Sequence, residues 1–188
     1  APYYKQDETV IQELQKENAD YVSQLAFLRQ EGFPFYRNTD FSFYSPCEEG
    51  FERMLKELKK AEKYIFMEYF IIEEGIMWNS ILSILEEKVK QGVEVRVMYD
   101  DMGSLNTLPA SYTRQLEKKG IKAVSFNRIS PVINTIMNHR DHRKILVIDG
   151  KVAFSGGANL ADEYINEKVI HGHWMDNIIC VKGNAVWS

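Results

Sequence analysis

Residues 64–99 read YIFMEYFIIEEGIMWNSILSILEEKVKQGVEVRVMY, and the changes of period inside that span decide the fold class. Tyr64 to Ile72 is a run of aromatic and β-branched residues broken only by Glu68, the composition of a buried strand. Ile76 to Lys90 spaces its apolar residues for an amphipathic helix, Gly92 ends it, and Val93 to Tyr99 alternates as a second strand. The cycle then repeats. A helix beginning near Pro109 lies within Leu105 to Lys119, Gly120 follows it, and Ile121 to Phe126 is another strand. Strands alternating with helices of this length predict an α/β fold, a sandwich of a mainly parallel, mixed β-sheet with helices on both faces. In such a sheet the ligand crevice lies off the carboxyl ends of strands. Asp100 and Asp101 fall at one such end, either as turn or capping residues before Gly103 or at the rim of a site. Glu68 either points to the exposed face or meets a cation, because an unpaired carboxylate in so apolar a run is costly.

Toward the amino terminus, Val10, Ile11, Leu14, Tyr21, Leu25 and Leu28 recur at helical spacing from Asp7 to Arg29, and Gly32 and Pro34 end that pattern. Residues 1–34 therefore read as an amphipathic helix and linker, and 35–188 as one domain. The helix packs on the domain or joins it to an upstream anchor. It has too few Lys and Arg for a membrane-surface role. Phe41 to Tyr44 is a short strand, and Glu49 to Lys60 a helix through Phe51, Met54, Leu55 and Leu58.

The totals limit the function classes. With 188 residues, 45% of them hydrophobic, the chain can bury a real core. A net charge of -4 argues against non-specific nucleic-acid binding, so any anion site must be local. Cys47 and Cys180 form neither a disulfide framework nor a metal-ligand cluster, which points to a reducing compartment. No apolar run approaches the ~20 residues of a membrane span, and the start shows no signal peptide. The chain reads as soluble.

Chemistry concentrates in residues 142–159, HRKILVIDGKVAFSGGAN. His142 and Lys144 stand two apart at the head of an alternating strand and so share a face, while Arg143, Ile145, Val147 and Asp149 take the other. Asp149-Gly150 signals a hairpin. With a two-residue turn at Asp149-Gly150 or Gly150-Lys151, parity puts Gly157 and Asn159 on the face of His142 and Lys144. An imidazole can attack phosphorus or shuttle protons near neutral pH, while Lys144, Asn159 and the bare backbone of Gly157 can hold phosphate oxygens. The basic cluster from Asn138 to Lys144 supplies the local positive field. Asn127 to Arg140, with Pro131, reads as a loop or lid flanking the site.

Asp149 has the wrong parity to touch His142 and suits the turn itself. An imidazole nucleophile needs a carboxylate to fix its tautomer, and Asp176, entering the later strand Asn177 to Val181, is the candidate. Leu160 to Tyr164 reads as a short helical turn and Asn166 to Gly172 as a polar loop. His139, His171 and His173, with Asp162 and Glu163, match no zinc spacing. No metal or cofactor is expected.

The pattern His-x-Lys-x4-Asp-x6-Gly-Gly-x-Asn resembles the HKD motif of the phospholipase D superfamily. Nearly the whole chain resembles the bacterial cardiolipin synthases of that superfamily, through 66–72, 92–101, 138–149, 156–166 and the ending GNAVWS. The resemblance implies phosphatidyl transfer, two phosphatidylglycerol molecules giving cardiolipin and glycerol through a phosphohistidine. It makes His142 the nucleophile or its acid/base counterpart, Lys144 and Asn159 phosphate ligands, Asp149 the third letter of the motif, and Asp176 the carboxylate against the histidine. Family members join two such motifs, whereas His139, His171 and His173 are followed two residues later by Asp141, His173 and Met175. The chain also stops at Ser188, where the family continues into a second half. The resemblance therefore implies an amino-terminal half of a longer enzyme at the cytoplasmic face of the bacterial membrane, completed by a second HKD half in cis or by a homodimer partner. The competing readings are a homodimeric single-motif phosphodiesterase or nuclease, disfavoured by the acidic total, and a non-catalytic phospholipid-binding half.

Overall fold

In a computed structural model of the chain, residues 8–17, 20, 22–129, 138–170 and 172–188 are described. The helices are α1 (Glu8–Glu17), α2 (Val22–Gln30), α3 (Cys47–Leu58), α4 (Ile76–Lys90) and α5 (Tyr112–Lys118). The strands are β1 (Thr39–Tyr44), β2 (Tyr64–Tyr69), β3 (Glu94–Asp100), β4 (Lys122–Phe126), β5 (Lys144–Ile148), β6 (Val152–Gly156) and β7 (Ile178–Gly183). Short 3-10 turns cover Asp162–Ile165 and Asn184–Trp187. Where one helix from Asp7 to Arg29 is expected, α1 and α2 stand; Asp7, Asn18, Ala19 and Tyr21 lie outside the described residues. α1 buries Val10 and Ile11, and Glu13 pairs with Arg37 just before β1. Residues 130–137 of the expected lid, and His171, also lie outside the described residues.

One sheet of seven strands runs in the order β1-β7-β6-β5-β2-β3-β4. The mixed α/β architecture is as expected, with the balance of pairings shifted. Among the described residues the strand pairs β2–β3 and β3–β4 are parallel, while β2–β5, β5–β6, β6–β7 and β7–β1 are antiparallel. Helical crossovers α4 and α5 connect the parallel strands, as parallel pairing requires. β5, the next described strand after β4, lies on the far side of β2 and runs in the opposite direction.

The core lies on one side of this sheet. Ile65, Met67, Val95, Val97, Leu146, Phe154 and Cys180 point toward α3 and α4, where Phe51, Met54, Leu58, Trp78, Ile81 and Leu85 meet them. α5 joins the same layer: Tyr112 accepts a hydrogen bond from the Trp78 indole at 2.5 Å and packs edge-on to Tyr99. The opposite side alternates out of step and carries Phe66, Met98, Val124, Ile145 and Val147. Phe41, Phe43 and Val124 there are 76%, 60% and 58% exposed. α3, α4 and α5 thus cover one face rather than being shared between two. The outward positions are apolar all the same, which is why these strands read as buried on both sides.

All strand ends that matter for chemistry meet at one edge. The carboxyl ends of β2 and β3, the start of β5, the end of β6 and the start of β7 lie together there, since Tyr69 pairs with Lys144 and Gly156 with Ile178.

Candidate active site

The hairpin forms where expected, but its turn holds three residues. Ile148 pairs with Val152, leaving Asp149, Gly150 and Lys151 between them. Asp149 and Gly150 both take left-handed backbone, φ 55 and 64, which Asp and Gly tolerate best. One added residue reverses the parity between the strands, so Leu146 shares a face with Phe154. The parity argument for Gly157 and Asn159 therefore fails. Their positions come instead from a sharp bend after β6, where Gly156 has φ 152 and a Cβ would strike the Asn177 carbonyl.

His142 lies just ahead of β5, exposed, with its ring 4.6 Å from that of Phe70 at a tilt of 55°. Lys144, the first residue of β5, is buried to 5% exposure and packs its ammonium over the same ring, 5.3 Å from the Phe70 centroid. Its Nζ donates to the His142 carbonyl at 2.8 Å. Burial lowers the Lys144 pKa, against the opposing charges of Asp176 and Asp141. Phe70 thus brings imidazole and ammonium to one place. In the sequence Phe70 is one more aromatic of the apolar run from Tyr64 to Ile72, and nothing there separates it from its neighbours; β2 ends one residue before it.

Asn159 is buried, and its amide is largely used inside the protein: Oδ1 accepts from Ile71 N at 3.0 Å and Nδ2 donates to the Tyr164 hydroxyl at 2.7 Å. An amide nitrogen carries two hydrogens, and the bond to Tyr164 uses one of them. Asp176 lies against Gly157, where a Cβ would overlap its carboxylate. It accepts from Asn177 N at 2.8 Å and the Trp174 indole at 3.4 Å. Among the described residues no hydrogen bond joins Asp176 to His142; the carboxylate acts on Lys144 by charge. Gly157→Ala must displace Asp176, and we expect it to destabilise the chain by about 1–3 kcal/mol in urea unfolding. An unchanged midpoint would mean that this approach is not needed.

Asp149 is the clearest departure from a catalytic grouping of His142, Lys144 and Asp149. It sits at the opposite end of β5, roughly 20 Å from His142 by strand rise. Its carboxylate accepts from the main-chain N–H groups of Glu62, Lys63 and Tyr64 at 2.9, 2.8 and 2.8 Å. Burial opposes its ionisation, but these three donors outweigh it and lower the pKa. Its work is to pin the start of β2 to the hairpin.

Glu68 satisfies both alternatives the sequence left open. It lies on the outward face and meets Arg143, whose Nε is 2.5 Å from Glu68 and 2.9 Å from Asp141. Burial, then the adjacent Asp141, push the Glu68 carboxyl up to about 7, while Arg143 pulls it down. Among the described residues no group of three or more His, Cys, Asp or Glu side chains is placed to hold a metal.

Comparison with known proteins gives one direction. Residues 54–181 match the family described as cardiolipin synthase, PLD-like domain. Along all 188 residues the chain is 52% identical to an uncharacterized protein of Streptococcus mutans, of which it covers 41%. It is 41% identical over 140 residues to a cardiolipin synthase of Alkalihalophilus pseudofirmus, 74% of this chain and 28% of that protein. A cardiolipin synthase of Oceanobacillus iheyensis is 34% identical over 86% of this chain and 33% of its own length. The chain thus spans well under half of each of these relatives. Among solved structures, the phospholipase D family member Nuc from Salmonella typhimurium superposes with a TM-score of 0.57 at 17% identity, over 78% of this chain and 84% of that one. The phosphatidylserine synthase of Haemophilus influenzae gives 0.54 at 17% identity, over 76% and 33%. These two likenesses concern the fold.

Proposed function

This chain belongs to the cardiolipin synthase family of phospholipase D-like domains, and on that premise we propose that it is one catalytic half of a longer phosphatidyltransferase. The reaction is cardiolipin formation from two phosphatidylglycerol molecules through a phosphohistidine. The observation that carries this reading is the joint seating of an exposed imidazole and a buried ammonium on the ring of Phe70. A nucleophile open to substrate beside a fixed cation is what attack on a phosphodiester needs.

In the first step a histidine nitrogen forms a bond to phosphorus and the phosphorus–oxygen bond to glycerol breaks. The leaving oxygen takes a proton from the opposing histidine. In the second, the hydroxyl of another phosphatidylglycerol gives its proton to that same group and attacks phosphorus, the phosphorus–nitrogen bond breaks, and the imidazole is restored. His142 supplies one of the two histidines. Lys144 retains N–H donors beyond the one given to the His142 carbonyl, and with the spare Asn159 hydrogen and the Gly157 backbone it holds the phosphate oxygens. Asp176, the carboxylate assigned to orient the histidine, stands at the edge of this group and also acts on Lys144 by charge. Asp149 serves as a remote anchor.

The second histidine comes from a second HKD half in cis or from a partner copy. The apolar outer face at Phe41, Phe43 and Val124 supports a chain that works against further protein surface. Among the described residues no helix is long and apolar enough to cross a membrane. In this reading the parent supplies the contact with the cytoplasmic face of the membrane.

Purified chain incubated with phosphatidylglycerol vesicles at several protein concentrations tests the half-site reading. Cardiolipin formation should be absent or rise more steeply than linearly with protein. Robust turnover proportional to a monomer's concentration would contradict it, and cleavage of DNA in place of lipid would favour the nuclease.

A further inference from the structure

Asp100 closes β3 with none of its surface exposed, and its carboxylate is shared between two parts of the chain. Oδ1 accepts from Met102 N at 2.9 Å and Gly103 N at 3.0 Å, the turn that follows β3. The remaining partners come from the residues just before His142. Asp141 N donates to Oδ2 at 2.9 Å, and the Arg140 guanidinium lies 3.2 Å from Oδ1.

We propose that Asp100 is a positioning residue for His142, an inference that rests on the reading of His142 as the reacting imidazole. Residues 139–143 precede β5 and have no ladder of their own. They are held from one side by the ends of β3 and β4. Besides the two contacts to Asp100, Arg140 donates to the Asn127 carbonyl at 3.0 Å, and the Asn127 amide donates to the His139 carbonyl at 2.8 Å. Asp141 is fixed at its N–H by Asp100 and at its carboxylate by Arg143. His142 follows directly, and its ring meets Phe70. The direction in which the imidazole leaves the backbone is therefore set at Asp141, and Asp100 is the fully buried group that sets it.

Asp100→Asn is close to isosteric. Its remaining oxygen can still accept from Met102 and Gly103, but its NH2 faces the Asp141 N–H, and the charge opposite Arg140 is gone. Two readouts in the full-length protein test the proposal. The first needs no substrate: carbethoxylation of His142 by diethyl pyrocarbonate, followed by mass spectrometry with the exposed His173 as internal reference. The second is transphosphatidylation, with kcat and KM separated.

In Asp100→Asn, His142 should be modified faster relative to His173, kcat should fall by about 10–100-fold, the scale of a sub-ångström to 1 Å misplacement, and KM should hardly move. Arg140→Gln should act in the same direction, and the double variant should be little worse than Asp100→Asn. Unchanged His142 modification would overturn the proposal. So would a loss of activity that tracks loss of folded protein, or one carried by KM with kcat intact. If the wild-type protein turns over no phospholipid, the proposed function fails, and the modification rate alone decides whether Asp100 places His142.

Discussion

Replacing His142 by Ala in the full-length protein is expected to lower cardiolipin formation by about 10⁴-fold or more, because removing a nucleophile or its proton-transfer counterpart disables a group that acts as a unit with its partners. The side chain is exposed and rests on Phe70, so folding should change by no more than about 0.5 kcal/mol. The same change at His173, an exposed loop residue, should leave turnover near wild type. Chromatography of labelled lipid products measures both. An His142→Ala protein with ordinary activity would remove His142 from the chemistry.

Asp149→Ala should produce the largest loss of stability among the site residues, about 3 kcal/mol. Three main-chain donors lose a charged acceptor, and hydrogen bonds to charged groups are worth roughly 1.5–3 kcal/mol each without being additive. Alanine must also adopt the left-handed backbone at φ 55. Asp149→Asn separates these effects, since asparagine tolerates that backbone and keeps the shape. The folded pKa of Asp149 is lowered below an unfolded value of about 3.9. Its charge therefore stabilises the fold above that unfolded value, and the contribution is lost as pH falls through the folded pKa. The gap between wild type and Asp149→Asn in urea unfolding should be wide at pH 7 and narrow toward pH 3. Equal gaps at both would show that the carboxylate charge is not what ties β2 to the hairpin.

Much of this molecule was legible in its sequence because local period carries it. The strand from Tyr64, the helix Ile76–Lys90 and the hairpin around Asp149-Gly150 all follow from apolar spacing and turn residues. What escaped depends on contacts between distant segments. The three-residue turn changes every facing relation beyond it, yet one residue in a turn leaves no trace in composition. The anchoring of Asp149 uses main-chain N–H groups more than 80 positions earlier, and every residue but proline owns such a group. Asp100 likewise reads as a turn residue until Asp141 is seen against it. Glu68 stands out in the sequence as a charge in an apolar strand, but its partner Arg143 comes from a distant segment.

If His142 is half of a phosphohistidine site, the intermediate can be captured. Full-length protein is mixed with phosphatidylglycerol labelled in its phosphate, quenched in alkaline denaturant and mapped by peptide. Label is expected on one histidine, either His142 or that of a second His-x-Lys motif, with no cardiolipin formed once His142 is Ala. Label on no histidine while cardiolipin accumulates, or undiminished cardiolipin from the His142→Ala protein, would contradict it.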